Sequence, residues 1–237
     1  YIGGYVEDAD IWSGQDIIIQ DGVNAGENGR IEAMGNISAR FFENAHIISH
    51  SDIKCDYMLN TTALAYGGIY LEGKRGSVIG GDVTGVRGIC IKACGSESYS
   101  KTVLRVGVTK EISSEYAKVL MVLKDIDTQI DRFNQALQKL DILKKAGSDK
   151  FDETLNRKLL QSKIVKTAEK AKYEEKSRNL YTLVRESDRA VVRIDKNIYP
   201  GSRVFMGDKT YVPSTVFTHI ALKKTSQGVL IRNYDSM

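Results

Sequence analysis

A short pattern recurs through the first part of the chain, and it limits the possible folds more than any other feature. Five segments align: Ile11-Trp12-Ser13-Gly14-Gln15-Asp16-Ile17, Ile31-Glu32-Ala33-Met34-Gly35-Asn36-Ile37, Ile47-Ile48-Ser49-His50-Ser51-Asp52-Ile53, Ala63-Leu64-Ala65-Tyr66-Gly67-Gly68-Ile69 and Ser77-Val78-Ile79-Gly80-Gly81-Asp82-Val83. Each unit opens on an apolar or small residue and closes on an aliphatic one, usually after Asp, Asn or Gly. Positions one, three, seven and nine (Ile19, Ala39, Cys55, Leu71 and Gly85 at nine) alternate as the inward face of a strand does. The polar or Gly residue before the closing aliphatic suits a corner with unusual backbone angles. Stacked at about 4.8 Å per rung, such units align their aliphatic residues into columns and bury a continuous core. The pattern predicts a β-solenoid, with insertions at one corner, for example around Gly26-Glu27-Asn28-Gly29. Asn44 and Asn60 repeat at the same offset as two of the rungs.

The glycines divide the chain. Of 21, seventeen fall between Gly3 and Gly107 and three follow position 200, whereas positions 111 to 190 hold only Gly147 and neither proline. In that stretch Ile112, Tyr116, Val119, Leu123, Ile126, Ile130, Phe133, Leu137 and Leu140 follow a 4-3 spacing without a slip, the stripe of a coiled-coil helix. The helix is expected to run to about Lys145. Gly147 is then suited to end it, and Ser148 or Asp149 to cap a second. That second helix offers Phe151, Leu155, Leu159, Leu160, Ile164, Val165, Ala168, Ala171, Leu180, Leu183 and Val184 as its seam. Short strands return after position 190 in a piece too small to fold alone, which is expected to pack on or extend the solenoid. The chain therefore divides into a parallel β-helix at 1–110, a coiled-coil hairpin at 111–190 and return strands at 191–237. The hairpin is rooted near Val108 and Arg189. The fold class is mainly β with inserted α.

Several stretches carry a resemblance. Gly35 to Ala45, Gly73 to Gly81, Gly95-Ser96 with Lys101 to Gly107, and Ile198 to Val204 occur in the order found in the flagellar assembly protein A (FapA) family, which the chain resembles along essentially its whole length. The resemblance implies a right-handed parallel β-helix carrying a coiled-coil hairpin, in a cytoplasmic bacterial protein that acts in flagellar assembly or placement without established enzymatic activity. The repeat is also similar to that of polymer-forming bactofilins. The chain starts at Tyr1, in mid-pattern, and reads as a fragment without the family's N-terminal domain.

The remaining chemistry is sparse. No run approaches 18 apolar residues, and no basic-then-apolar leader opens the chain. Three cysteines (Cys55, Cys90, Cys94) fit buried thiols in a reducing compartment. The pairs His46/His50 and Cys90/Cys94 lie in strand and corner segments, where a four-residue spacing does not assemble a zinc site. Gly73-Lys74-Arg75-Gly76 lacks the Ser/Thr and the helix of a phosphate loop. Asp16 and Asp52 share a register position but read as corner residues, which leaves a carbohydrate-active β-helix as the remote alternative. No catalytic, metal or cofactor residue is expected.

The overall charge of +4 is too small to imply nucleic-acid binding. It conceals a local excess: from 157 to 172, Arg157, Lys158, Lys163, Lys166, Lys170 and Lys172 stand against only Glu169. These six cations form a candidate docking face for an acidic protein partner. The expected function is a non-catalytic scaffold or adaptor with protein partners. A self-assembling β-helix polymer is the alternative, because open solenoid ends expose unpaired strand edges.

Overall fold

The structure is a computed structural model that describes residues 1–26 and 29–233. Five rungs of three strands follow one another along the chain: Val6–Glu7, Ile11–Ser13 and Ile17–Ile18 (β1–β3); Gly22–Asn24, Arg30–Ala33 and Ile37–Ser38 (β4–β6); Phe41–Glu43, His46–Ser49 and Ile53–Cys55 (β7–β9); Tyr57–Leu59, Thr62–Ala65 and Gly68–Leu71 (β10–β12); Ser77–Ile79, Asp82–Gly85 and Gly88–Ile91 (β13–β15). Each strand pairs in parallel with its equivalent one rung away, so the first hundred residues form a parallel β-solenoid. A sixth rung opens with Ala93–Cys94 (β16) and Thr102–Val106 (β17). The helices Lys110–Lys145 (α1) and Glu153–Ser187 (α2) come next. The ladder then resumes with Val191–Ile198 (β18) and Ser202–Met206 (β19).

Register explains the core. Ile17, Ile37, Ile53, Ile69, Ile89 and Val192 form one column. Ile11, Ile31, Ile47, Ala63, Val83, Leu104 and Val204 form another. Nearly all of these are buried, each aliphatic side chain contributing roughly 1.5–3 kcal/mol when fully withdrawn from water. The columns correct one alignment made from sequence. Val83 does not close the fifth unit; it opens it, and Val83-Thr84-Gly85-Val86-Arg87-Gly88-Ile89 is the matching segment. Ile91, not Gly85, then holds the ninth position, above Leu71 by its place two residues after Ile89. The misreading arose because Val78 is itself an inward residue of the preceding strand, so the Val78–Val83 stretch carries inward positions at a similar spacing.

The corners use the polar residues. Asp8, Asn44, Asn60, Gly80 and Gly95 all have positive φ (44°, 47°, 48°, 70° and 79°) directly after β1, β7, β10, β13 and β16 of one column. Only Gly enters this region without steric cost, and Asn and Asp enter it more readily than other residues. At a second corner Asp16 Oδ1 accepts hydrogen bonds from the Asn36 backbone N–H (2.7 Å) and the Asn36 amide. Asn36 Oδ1 accepts from Asp52 N–H, and Asp52 Oδ1 accepts from Gly68 N–H at 2.8 Å. The expected insertion near Gly26 falls in part on Glu27 and Asn28, which lie outside the described residues.

The point of insertion is defined by register. In the fifth rung Gly85 leads to Gly88 through Val86 and Arg87. In the sixth, Val106 stacks on Gly85 and Val191 stacks on Gly88, and the two helices occupy the intervening chain. Gly107 N–H still donates to Val86 O, as the corner residue of an uninterrupted rung would. Past the sixth rung the pairing changes direction. Lys209–Tyr211 (β20) runs antiparallel to β19, Phe217–Lys224 (β21) antiparallel to β18, and Val229–Asn233 (β22) antiparallel to β21.

The chain separates into two compact units, one of residues 1–109 and 183–237 and the other of residues 110–182. In the second, the helices run antiparallel: Lys170 Nζ meets Asp127 Oδ1 at 2.7 Å, Lys176 Nζ meets Glu115 Oε1 at 2.7 Å, and the rings of Tyr116 and Tyr181 lie 6.5 Å apart. Gly147, at φ 62°, ends α1: its N–H donates to Lys144 O and Ser148 N–H donates to Leu143 O, the paired bonds of a Schellman motif. The cap of α2 is Asp152 rather than Ser148 or Asp149. Its Oδ1 accepts from the N–H groups of Thr154 (2.8 Å) and Leu155 (3.1 Å), which places it one residue before the first helical position.

Candidate interaction surfaces

The α1 seam is the one its spacing predicts, with Ile112, Val119, Ile126 and Leu140 buried. The α2 seam differs from the sequence expectation. Its inward positions are Leu159, Lys163, Lys166, Lys170, Tyr173, Ser177 and Leu180, an unbroken 4-3 spacing with apolar residues at the two ends. Of the residues assigned to this seam from sequence, Leu155, Leu160, Ile164, Val165, Ala168 and Ala171 are exposed instead, Ile164 at 68% and Val165 at 59%. The regular stripe of α1 needs a partner at the same repeat, and Leu159 and Leu180 can both face it only if three lysines lie between them. Long lysine stems can cover an apolar stripe while their ammonium groups reach its rim. Hydrogen bonding to Asp127 raises the pKa of Lys170, and hydrogen bonding to Glu115 raises that of Lys176.

This arrangement divides the six candidate cations. Lys163, Lys166 and Lys170 are partly buried on the seam side, with Lys166 Nζ 2.7 Å from Glu169 Oε2. Arg157, Lys158 and Lys172 are exposed on the outer side. Beside the exposed cations runs an apolar stripe, and Leu160, Lys163, Ile164, Thr167, Ala168 and Ala171 line a shallow groove of about 520 Å³. The sequence contained the signal for this face, because Leu160, Ile164, Ala168 and Ala171 recur every three or four residues.

On the solenoid, several chemically capable side chains are engaged in structure. Phe41 stacks on Tyr57 at 5.1 Å, Arg75 covers the far face of Tyr57, and Tyr57 Oη donates to Glu43 Oε1 at 2.8 Å. His50 stacks on Tyr66 and lies 3.7 Å from Glu32, whereas His46 is an exposed residue at the opposite end of the same strand segment. Cys94 is fully buried and its thiol is pushed up to about 12 by burial, while Cys90 is half-buried on a neighbouring column. Burial also raises the Cys55 thiol. Asp16 and Asp52 spend their carboxylate oxygens on corner backbone. Among the described residues, no three His, Cys, Asp or Glu side chains converge as a metal site would require, and no helix is long and apolar enough to cross a membrane.

The family model for the flagellar assembly protein A β-solenoid domain matches residues 1–227, which takes in the solenoid, both helices and the return strands through β21. The chain belongs to the flagellar assembly protein A family. Comparison with curated proteins found no match, and comparison with solved structures found none either. The FapA assignment therefore rests on the family match over residues 1–227 and on the β-solenoid fold that the family description names.

Proposed function

We propose that this FapA chain is a non-catalytic scaffold or adaptor that presents protein-binding surfaces in bacterial flagellar assembly or placement. The observation that carries this reading is the outer side of α2, which holds Leu160, Ile164 and Val165 in solvent beside Arg157, Lys158 and Lys172. On the solenoid, Asp16, Asp52, Phe41 and Tyr57 are engaged in corners and stacks. Exposed apolar residues beside a local excess of cations suit recognition of an acidic protein surface. Lys163 adds positive charge from the seam side, where Lys166 and Lys170 are paired with Glu169 and Asp127. The protein acts in the bacterial cytoplasm and is recruited to its place, such as a cell pole, by this contact.

The β-helix polymer is the second reading. Its head-to-tail form needs a free parallel edge beyond the sixth rung, and β20 and β21 occupy the edges of β19 and β18 there with antiparallel pairing. That pairing favours the adaptor. The test is capture of partners from a bacterial lysate at low salt, comparing the intact chain with one carrying Arg157→Glu, Lys158→Glu and Lys172→Glu. The adaptor reading expects specific partners on the intact chain and their loss on the variant. Identical capture by both would remove the docking face.

A further inference from the structure

The outer stripe of α2 has an internal symmetry that the docking reading does not use. In chain order it carries an acid, a base and two large aliphatics: Glu153, Arg157, Leu160 and Ile164. It then carries two small residues, an acid and a base: Ala168, Ala171, Glu175 and Arg178. All eight are exposed, and their three- and four-residue spacing places them on the side of α2 opposite Leu159, Tyr173 and Leu180. Reversing the direction of the stripe exchanges each residue for its physical complement. Acid meets base at both ends, and a large side chain meets a small one at each central position.

We infer that two copies of this chain pair antiparallel through the outer faces of their α2 helices, about a two-fold axis near Val165 and Lys166. Glu153 then faces Arg178 of the second copy and Arg157 faces its Glu175. Leu160 packs over the small Ala171 of the second copy, and Ile164 over its Ala168. A two-fold contact requires one patch to be complementary to itself, which this palindrome satisfies. Alternating large and small residues across the contact allows close helix packing. The end charges favour the antiparallel direction, since parallel pairing would set Arg157 against Arg157 and Glu153 against Glu153. One flank opposes the contact: Lys158 faces Lys172 of the second copy. The pairing is therefore weak and concentration-dependent, with one charge whose reversal should strengthen it. The contact shares Arg157, Leu160 and Ile164 with the face proposed to dock an acidic partner, and the reversal at Lys172 tells the two apart, because it would weaken that docking.

The test is disulfide trapping of the whole chain in a Cys90→Ser background, where the two remaining native thiols are buried. Thr167→Cys, in the groove shared with Ile164 and Ala168 and close to the two-fold axis, is expected to give a covalent dimer under mild oxidation. Glu153→Cys alone is expected to stay monomeric, because its copies lie at opposite ends of the contact. Leu160→Cys combined with Ala171→Cys is expected to restore cross-linking. Light scattering across a concentration series provides the second readout: Ile164→Glu should abolish the dimer, and Lys172→Glu should shift it to at least several-fold lower concentration. A monomer at every concentration overturns the inference. So does equal self-linking of Glu153→Cys and Thr167→Cys, or weakening of the dimer by Lys172→Glu.

Discussion

Asn60 shows how much of this fold depends on single backbone positions. It sits at φ 48° in the corner column, between Asn44 at 47° and Gly80 at 70°. A residue with a Cβ costs roughly 1–2 kcal/mol in this region, and asparagine's polar side chain reduces the cost. Asn60→Ala is therefore expected to lose about 1 kcal/mol in urea unfolding, while Asn60→Gly stays near the parent. Equal losses for the two variants would mean that the side chain, and not the backbone angle, is what the corner requires. Such positions were legible in the sequence as an Asn recurring at the rung offset, but their angle was not. The same limit explains the fifth unit. Val78 and Val83 are both inward-facing, so apolar identity alone could not decide which of them opens a rung. Only the strand partners settle that Val83 stacks on Ala63.

Within the helices the sequence was clear for α1 and misleading for α2. The α1 stripe is regular, and its spacing fixes its buried face without reference to a partner. On α2, Ile164 and Val165 are apolar yet exposed, while Lys163 and Lys166 are charged yet partly buried. The partner's repeat chose the seam and overrode side-chain type. A direct consequence follows for stability. Lys163→Leu combined with Lys166→Leu is expected to stabilise the chain by about 1–2 kcal/mol, since each leucine buries more apolar surface along the α1 stripe than a lysine stem. Ile164→Ser, on the outer face, is expected to change stability by less than about 0.5 kcal/mol when measured on the monomer. A loss for the leucine pair together with a large loss for Ile164→Ser would reverse the assignment of the two faces. The six-cation face was visible as composition, but its division into Lys163, Lys166 and Lys170 on the seam side and Arg157, Lys158 and Lys172 on the outside depended on this choice of seam.

At the scale of the whole molecule, the chain is one solenoid whose ladder is interrupted in sequence but not in register. Val106 and Val191 stack on Gly85 and Gly88, which are joined in the rung below by only Val86 and Arg87. The helical excursion thus replaces an ordinary corner. The helical pair is inserted without a break in the register of the ladder. The most direct test is to excise residues 108–189, so that Gly107 joins Ala190 and reproduces a two-residue corner. Circular dichroism and urea unfolding would then be measured on the shortened chain. The account predicts loss of the helical signal, retention of the β signal and a single cooperative unfolding transition. A shortened chain with no cooperative transition would contradict it, because the helices would then be needed for the solenoid to fold.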